Sequence, residues 1–334
     1  MQSEITSFIT QLFETLSLGT VTVPITPVSG GFMHRMYKVC TENHTYAVKH
    51  LNPEIMKRPA AMENYKKAEK LEAILEDEGI PIVSALAFGE KKMQELEDNY
   101  FYIFDWHNGS ITDWNNITPE QCWQAGNIQG RIHAIKSEKI VAPAKEDFTP
   151  ELSAIDWNEY IAQAADCEDI ETLLKENLPL LDYAQNELNK ARLALPNITT
   201  IIDEDMDPKN VMWENGKPVV IDLECLDYGN PVSSAIQLSL QWAGITLCDF
   251  DSEKQKAFFQ GYFQAYDNGF RNYKSVFGLT YTWIEWLEYN IKRALGDCHD
   301  KTEQQLGLTE VKNTINRIKY IHHMEDKIKK NLQF

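Results

Sequence analysis

The chain has 334 residues, 43% of them hydrophobic and 25% charged, with a formal net charge of -18 from 50 acidic and 32 basic side chains. That balance is ordinary for a globular protein, and the length suffices for about two lobes whose core needs no covalent staples. It excludes a nucleic-acid binder, whose phosphates so acidic a surface repels, and leaves room for a cationic small substrate that an acidic cleft attracts.

The first residues, Met1-Gln2-Ser3-Glu4, lack the basic region and apolar run of a secretory signal. The most apolar stretch, residues 235–247, is interrupted by Gln237 and Gln241, so no membrane span is expected. The 6 cysteines are scattered without a C-x-x-C pair, the pattern of reduced thiols in a cytoplasmic protein. Nothing in the sequence demands an obligate protein partner.

In chain order, apolar residues at Ile5, Phe8, Ile9, Leu12, Phe13 and Leu16 predict a helix closed by Gly19. Residues 21–28 alternate and carry Pro24 and Pro27, as an edge strand does. Ser29-Gly30-Gly31 is a turn, and residues 36–40 and 45–51 read as strands. A helix follows over 63–78, with Tyr65, Leu71, Ile74 and Leu75 on one face and Gly79-Ile80-Pro81 at its end. Residues 83–89 and 99–104 read as strands. Beyond 118 the signals are helical, over 119–135, 174–193, 252–266, 281–295 and 310–332, with one β-rich island at 210–222. The predicted organisation is α+β: an N-terminal antiparallel sheet lobe (1–104), a hinge (105–109) and a larger, mainly helical lobe (110–334).

The densest chemistry lies in Asp203-Glu204-Asp205-Met206-Asp207-Pro208-Lys209-Asn210, followed by a strand ending in Ile221-Asp222-Leu223-Glu224. One carboxylate to take a hydroxyl proton, plus an amide oxygen and a second carboxylate to hold Mg²⁺ on nucleotide phosphates, is the inventory of phosphoryl transfer. At these residues the chain resembles the aminoglycoside phosphotransferase and choline-kinase-like family, which has the protein-kinase-like bilobal fold. The family pattern H-x-D-x-x-x-x-N, a strand, then I-D-x-[ED] places Asp205 as the base and Asn210 and Asp222 as the metal ligands.

The N-terminal lobe carries the rest of the resemblance. Gly30, Gly31 and Phe32 fall in the nucleotide loop, and Tyr46-Ala47-Val48-Lys49 matches the strand ending in the phosphate-pairing lysine. Lys49 needs an acidic partner on the following helix; Glu69 is the first choice and Glu72 the second. The resemblance also gives the backbone of Asp105 and His107 to the nucleobase, with Phe104 behind it, and makes His133 structural. In place of the loop histidine stands Asp203, expected to brace the loop through backbone hydrogen bonds. No A-P-E segment follows Asp222, which argues against a protein kinase.

The expected activity is Mg²⁺-dependent transfer of the γ-phosphate of ATP or GTP to a hydroxyl of a small cationic molecule. Aminoglycoside-like acceptors come first by resemblance, then choline-like amines, sugars and macrolides; a silent nucleotide-binding pseudokinase is the alternative. Weaker acceptor candidates are Asp227 and, in the aromatic and acidic segment 281–290, Glu285 and Glu288, with Trp283 and Trp286 read as core.

Overall fold

The computed structural model describes residues 2–28, 34–136, 150–298 and 301–333. By its contacts the chain divides into two compact units, Met1–Ile111 with Asn210–Asp227, and Thr112–Lys209 with Tyr228–Phe334. The short island after the catalytic-type loop thus groups with the N-terminal segment.

The first unit is built on a five-stranded antiparallel sheet. Its elements are α1 (Gln2–Thr15), β1 (Thr26–Val28), β2 (Arg35–Cys40), β3 (Thr45–His50), α2 (Pro53–Met56), α3 (Ala61–Asp77), β4 (Gln94–Leu96), β5 (Asn99–Asp105) and β6 (Ser110–Ile111). The strand order is β1-β2-β3-β5-β4. Strand alternation divides the core in two. Tyr46 and Val48 of β3 pack with Ile5, Ile9, Leu12 and Phe13 of α1. Leu51 and Tyr102 pack with Ala61 and Tyr65 of α3. Lys49 lies opposite Tyr102 in the β3–β5 register, on the side that α3 covers.

Residues 83–89, expected as a strand, do not form one. β4 takes the start of the free edge of β5, and this segment makes scattered backbone bonds instead: Val83 N–H to Val220 O, Leu86 N–H to Ile103 O and a local bridge between Phe88 and Lys91. The island folds as the hairpin Val211–Glu214 and Lys217–Val220. Asn215 and Gly216 turn it with φ of 51° and 75°, the left-handed pair that a two-residue hairpin turn requires.

The second unit is mainly helical: α4 (Pro119–His133), α5 (Trp157–Gln163), α6 (Glu168–Leu193), α7 (Pro231–Trp242), α8 (Ser252–Ala265), α9 (Trp283–Ala294), α10 (Lys301–His323) and α11 (Glu325–Asn331). The helix expected over 310–332 is two, α10 and α11, separated at Met324. The sequence expectation omitted α7, whose polar stripe is only one residue wide, Ser233, Gln237 and Gln241 at i, i+4 and i+8 on an otherwise buried helix; Asn230 caps it by accepting from Val232 and Ser233 N–H, with Pro231 in the first turn. Helices α4 and α8 touch backbone to backbone. A Cβ on Gly261 would lie 2.0 Å from Trp123 O, and one on Gly126 2.0 Å from Phe258 O. His133, at the end of α4, is fully enclosed, and burial pushes its pKa down to about 3.

All 6 cysteines are free thiols. Among the described residues no helix is long and apolar enough to cross a membrane.

Candidate active site

In the first unit the chemistry gathers around Lys49. Its Nζ lies 2.6 Å from Asp222 Oδ1 and 2.6 Å from Glu224 Oε1. Burial alone would lower its pKa, but the two carboxylates outweigh that and raise it. Glu224 is lowered: burial opposes its charge, and the contacts with His34 and Lys49 prevail. His34 Nδ1 accepts the Asn52 N–H at 3.0 Å, which puts the neutral ring's proton on Nε2, 3.1 Å from Glu224 Oε2. A relay His34–Glu224–Lys49–Asp222 results, closed on one side by Tyr65, whose hydroxyl is 3.2 Å from His34 Nε2.

The pairing of Lys49 with Glu69 or Glu72 is not what forms. Glu69 accepts from the Tyr102 hydroxyl at 2.8 Å and Met93 N–H at 3.2 Å. Glu72 falls on the buried stripe Ala61, Tyr65, Ala68, Glu72, Leu75 of α3 and is held by Lys92 Nζ at 2.7 Å and Ala85 N–H at 2.9 Å. Position 65, which faces the relay, carries a tyrosine, so the acid that meets Lys49 comes from the strand end instead. Glu69 still lines the narrow crevice beside Lys49, Phe104 and Asp222.

Asn210 and Asp222 are neighbours across the base of the hairpin, where Ile221 N–H donates to Asn210 O at 2.9 Å. Asn210 is 5% exposed. Asp222 holds a left-handed backbone, φ 63° and ψ 60°, a strained state for a residue with a Cβ and one found at functional turns. Asp105 ends β5 with its carboxylate 2.8 Å from His44 Nε2, and His107 is half-buried. Asp227 pairs with Lys67 of α3 at 2.6 Å, within this first unit. Gly30, Gly31 and Phe32 lie outside the described residues.

The second unit holds the loop around Asp205. The strand Thr200–Asp203 delivers it, and Asp203, 2% exposed, accepts the Asp205 N–H on Oδ1 at 3.1 Å. Asp203 therefore does brace the backbone, as its position led us to expect. Met206 is fully buried and its carbonyl takes the Trp242 Nε1–H at 3.0 Å, tying the loop to α7. Lys209, which the sequence reading passed over, spans Asp205 Oδ1 at 2.6 Å and Asp207 Oδ2 at 2.8 Å. Burial would lower its pKa, yet Asp207 and Asp205 raise it. Burial pushes the Asp207 carboxyl up to about 6 against the pull of Lys209.

Asp205 opens on a cleft of about 410 Å³ whose walls include Asp207, Gln237, Trp283, Glu285, Trp286, Glu310 and Arg317. Both tryptophans line the cleft; Trp283 also packs against the core as expected, whereas Trp286, 38% exposed, does not. Glu285 is on the wall but already holds Arg192, Nη1 to Oε1 at 2.7 Å and Nη2 to Oε2 at 2.8 Å. Glu288 is one turn further round α9, where Tyr160 Oη at 2.6 Å and Lys292 Nζ at 2.8 Å take it. The sequence reading does not single out Glu224, His34, Lys209, Arg192 or Arg317. Glu224 had a signal, its i, i+2 spacing from Asp222, and so had Lys209, four residues after Asp205; Arg192 and Arg317 had none.

Residues 24–276 match the model of the phosphotransferase enzyme family. Among solved structures, a spectinomycin phosphotransferase with ADP and spectinomycin is 15% identical with a TM-score of 0.65, covering 92% of this chain and 96% of that one. An amicoumacin kinase with AMP-PNP, Ca²⁺ and amicoumacin is 13% identical with a TM-score of 0.59, over 92% and 93%. An ethanolamine kinase of Plasmodium vivax is 16% identical with a TM-score of 0.58, over 87% and 80%. These likenesses establish the fold, a β-sheet lobe and a larger helical lobe of the protein-kinase-like type. Dynein axonemal heavy chain 8 of Homo sapiens is 25% identical over 174 residues, 50% of this chain, and the chain spans only 4% of that protein.

Proposed function

The chain belongs to the phosphotransferase enzyme family, and on that footing we propose that it moves the terminal phosphate of ATP or GTP to a hydroxyl of a small, amine-bearing molecule. The observation that carries this is the loop itself: within six residues it presents Asp205 to an open cleft and delivers Asn210 to the side of Asp222 and the buried Lys49.

Asp205 is the proton acceptor for the attacking hydroxyl. Lys209 and the bond from its own N–H to Asp203 hold it in one orientation, which is what positioning contributes to such a reaction. Lys49 serves the nucleotide phosphates, and Glu224 is its fixed counter-ion. The hard oxygen donors of Asn210 and Asp222, adjacent and on a rigid hairpin base, suit Mg²⁺, which binds few protein ligands and completes its shell with phosphate and water. Bound there, the ion would neutralise phosphate charge; the chain's part is to hold it and to keep Lys49 paired through Glu224 while Asp222 turns to the metal. The backbone of Asp105 and His107 is proposed to meet the nucleobase, and Gly30, Gly31 and Phe32 the phosphates.

The small-molecule acceptor is supported by the cleft's size and by the substrates named for similar structures, spectinomycin, amicoumacin and ethanolamine. The silent-module reading rests on Asp203, and the bond that Asp203 accepts from the Asp205 N–H supports an ordered loop instead. The test is Mg²⁺-dependent nucleoside diphosphate release with ATP and with GTP against aminoglycosides, amino alcohols, sugars and macrolides. Release with at least one acceptor is expected; tight nucleotide binding with no release on any hydroxyl would favour the silent module.

A further inference from the structure

The charges lining the acceptor cleft of the helical unit can be paired off one by one. Asp205 and Asp207 share Lys209, and Glu285 is matched by Arg192. Two charges on α10 are left. Arg317 is 7% exposed, yet among the described residues no carboxylate comes within ion-pair distance of it. Its Nη2 and Nε donate to one neutral acceptor, Thr246 O, at 3.0 and 3.4 Å, and its guanidinium lies 4.0 Å over the Trp283 ring. No hydrogen-bond partner meets its Nη1 among the described residues. Burial lowers the pKa of Arg317, and the field of Glu310 offsets only part of that. Glu310 is bonded only to neutral donors, Trp286 Nε1–H at 3.4 Å and Asn313 Nδ2–H at 3.1 Å.

Placing a guanidinium in so enclosed a wall is costly unless something returns the lost hydration, and the planar fork of arginine is suited to an oxyanion. The two charges sit seven residues apart on one helix, about 10 Å along its axis. Both belong to the cleft on which Asp205 opens.

Resting on the phosphotransferase reading above, we propose that the acceptor is a hydroxyl-bearing zwitterion, its carboxylate taken by Arg317 against Trp283 and its amine by Glu310. This replaces a purely cationic acceptor with an amphoteric one. Arg317 then decides specificity by leaving a buried charge unmatched when a substrate lacks a carboxylate, and the half-exposed Glu310 adds a weaker preference for an amine. Asp205 performs the same proton transfer on any acceptor that fits.

The experiment measures nucleoside diphosphate release by the full chain with hydroxylated ω-amino acids and hydroxyl-bearing dipeptides, each beside its C-terminal amide, together with simple amino alcohols and aminoglycosides. The expected result is a KM at least tenfold lower for free acids than for their amides. In Arg317→Gln the free-acid KM should rise to that of the amide, and in Glu310→Gln the preference for free over acetylated amines should shrink. The acid–amide comparison in the unaltered protein needs no variant, so it stands even if Arg317→Gln fails to fold. Equal KM for acid and amide overturns the proposal. So does turnover confined to amino alcohols or aminoglycosides, which would leave the phosphotransferase reading intact. Nucleotide binding with no release on any member overturns both.

Discussion

Lys49 in the sheet unit and Lys209 in the helical unit make the same local contact, an ammonium between two carboxylates at 2.6 to 2.8 Å. Their surroundings differ. The Lys49 side chain is 6% exposed and that of Glu224 18%, whereas Lys209 is 43% exposed and Asp205 35%. In the first, Lys49 and Glu224 are largely shielded from water, and their charges are held by each other together with Asp222 and His34. In the second, water reaches Lys209 and Asp205, so that arm of the bridge is worth little to stability while still restraining where Asp205 points; only the Asp207 arm, with its carboxylate 9% exposed, is enclosed. The same geometry is thus a structural necessity in one unit and a positioning device in the other.

The comparison breaks most visibly at Lys49. Lys49→Met should cost about 3 kcal/mol or more of unfolding free energy, since Glu224 is left enclosed without its cation. It should also lower turnover at least about hundredfold by removing a phosphate contact. A denaturant midpoint equal to that of the unaltered protein would deny that this pair is buried in solution.

Next comes the choice of carboxylate. Glu224→Gln should lower kcat/KM by about ten- to hundredfold, equivalent to ~1.4–2.7 kcal/mol of transition-state stabilisation. Glu69→Gln should change it less than about threefold, because Glu69 answers to Tyr102 and Met93. The reverse order would restore the helix glutamate as the partner of Lys49.

His133 shows what burial does without a counter-ion. Its folded pKa of about 3 lies below the ordinary value of 6.5. The unfolded chain therefore binds the proton more readily, so this contribution to stability is present above pH 6.5 and is lost as pH falls toward 3. Between pH 7 and pH 5 the loss should be about 2 kcal/mol. His133→Gln should flatten that slope in pH-dependent denaturation; an unchanged slope would assign the acid sensitivity elsewhere.

The smallest effect on stability belongs to Lys209. Lys209→Met should cost about 1–2 kcal/mol of folding free energy, less than Lys49→Met, because the Asp205 arm is exposed while the buried Asp207 loses its cation. It should still reduce turnover about tenfold, by freeing the Asp205 carboxylate to swing. A stability loss as large as that of Lys49→Met would erase the distinction between the two bridges.

Much of this was legible in the residues, and the boundary has a physical basis. Asp205, Asn210, Asp222 and Lys49 stand at fixed spacings from strands and turns, and local chain geometry alone sets such spacings. The partner of Lys49 was not legible, because which of Glu69, Glu72 and Glu224 reaches it depends on how α3 is rotated against the sheet. Tyr102 and Lys92 settle that rotation by claiming the first two. The segment 83–89 forms no strand because its backbone bonds to β5 only at Ile103, beyond the stretch that β4 pairs. Helix α7 was hidden because its polar face is reduced to Ser233, Gln237 and Gln241 in an otherwise buried run. Glu288 looked like Glu285 in sequence, and one turn of α9 sent it to Tyr160 and Lys292 instead.

The central claim is that Asp205 takes the proton of an acceptor hydroxyl while the sheet unit holds the nucleotide independently of it. The most direct measurement pairs two readouts on Asp205→Asn, nucleotide Kd by titration and diphosphate release with the best acceptor found. The account predicts a Kd within about threefold of the unaltered protein and turnover lowered by about 10²–10⁴. Turnover retained at a comparable level would contradict it, because the proton would then be leaving by another route.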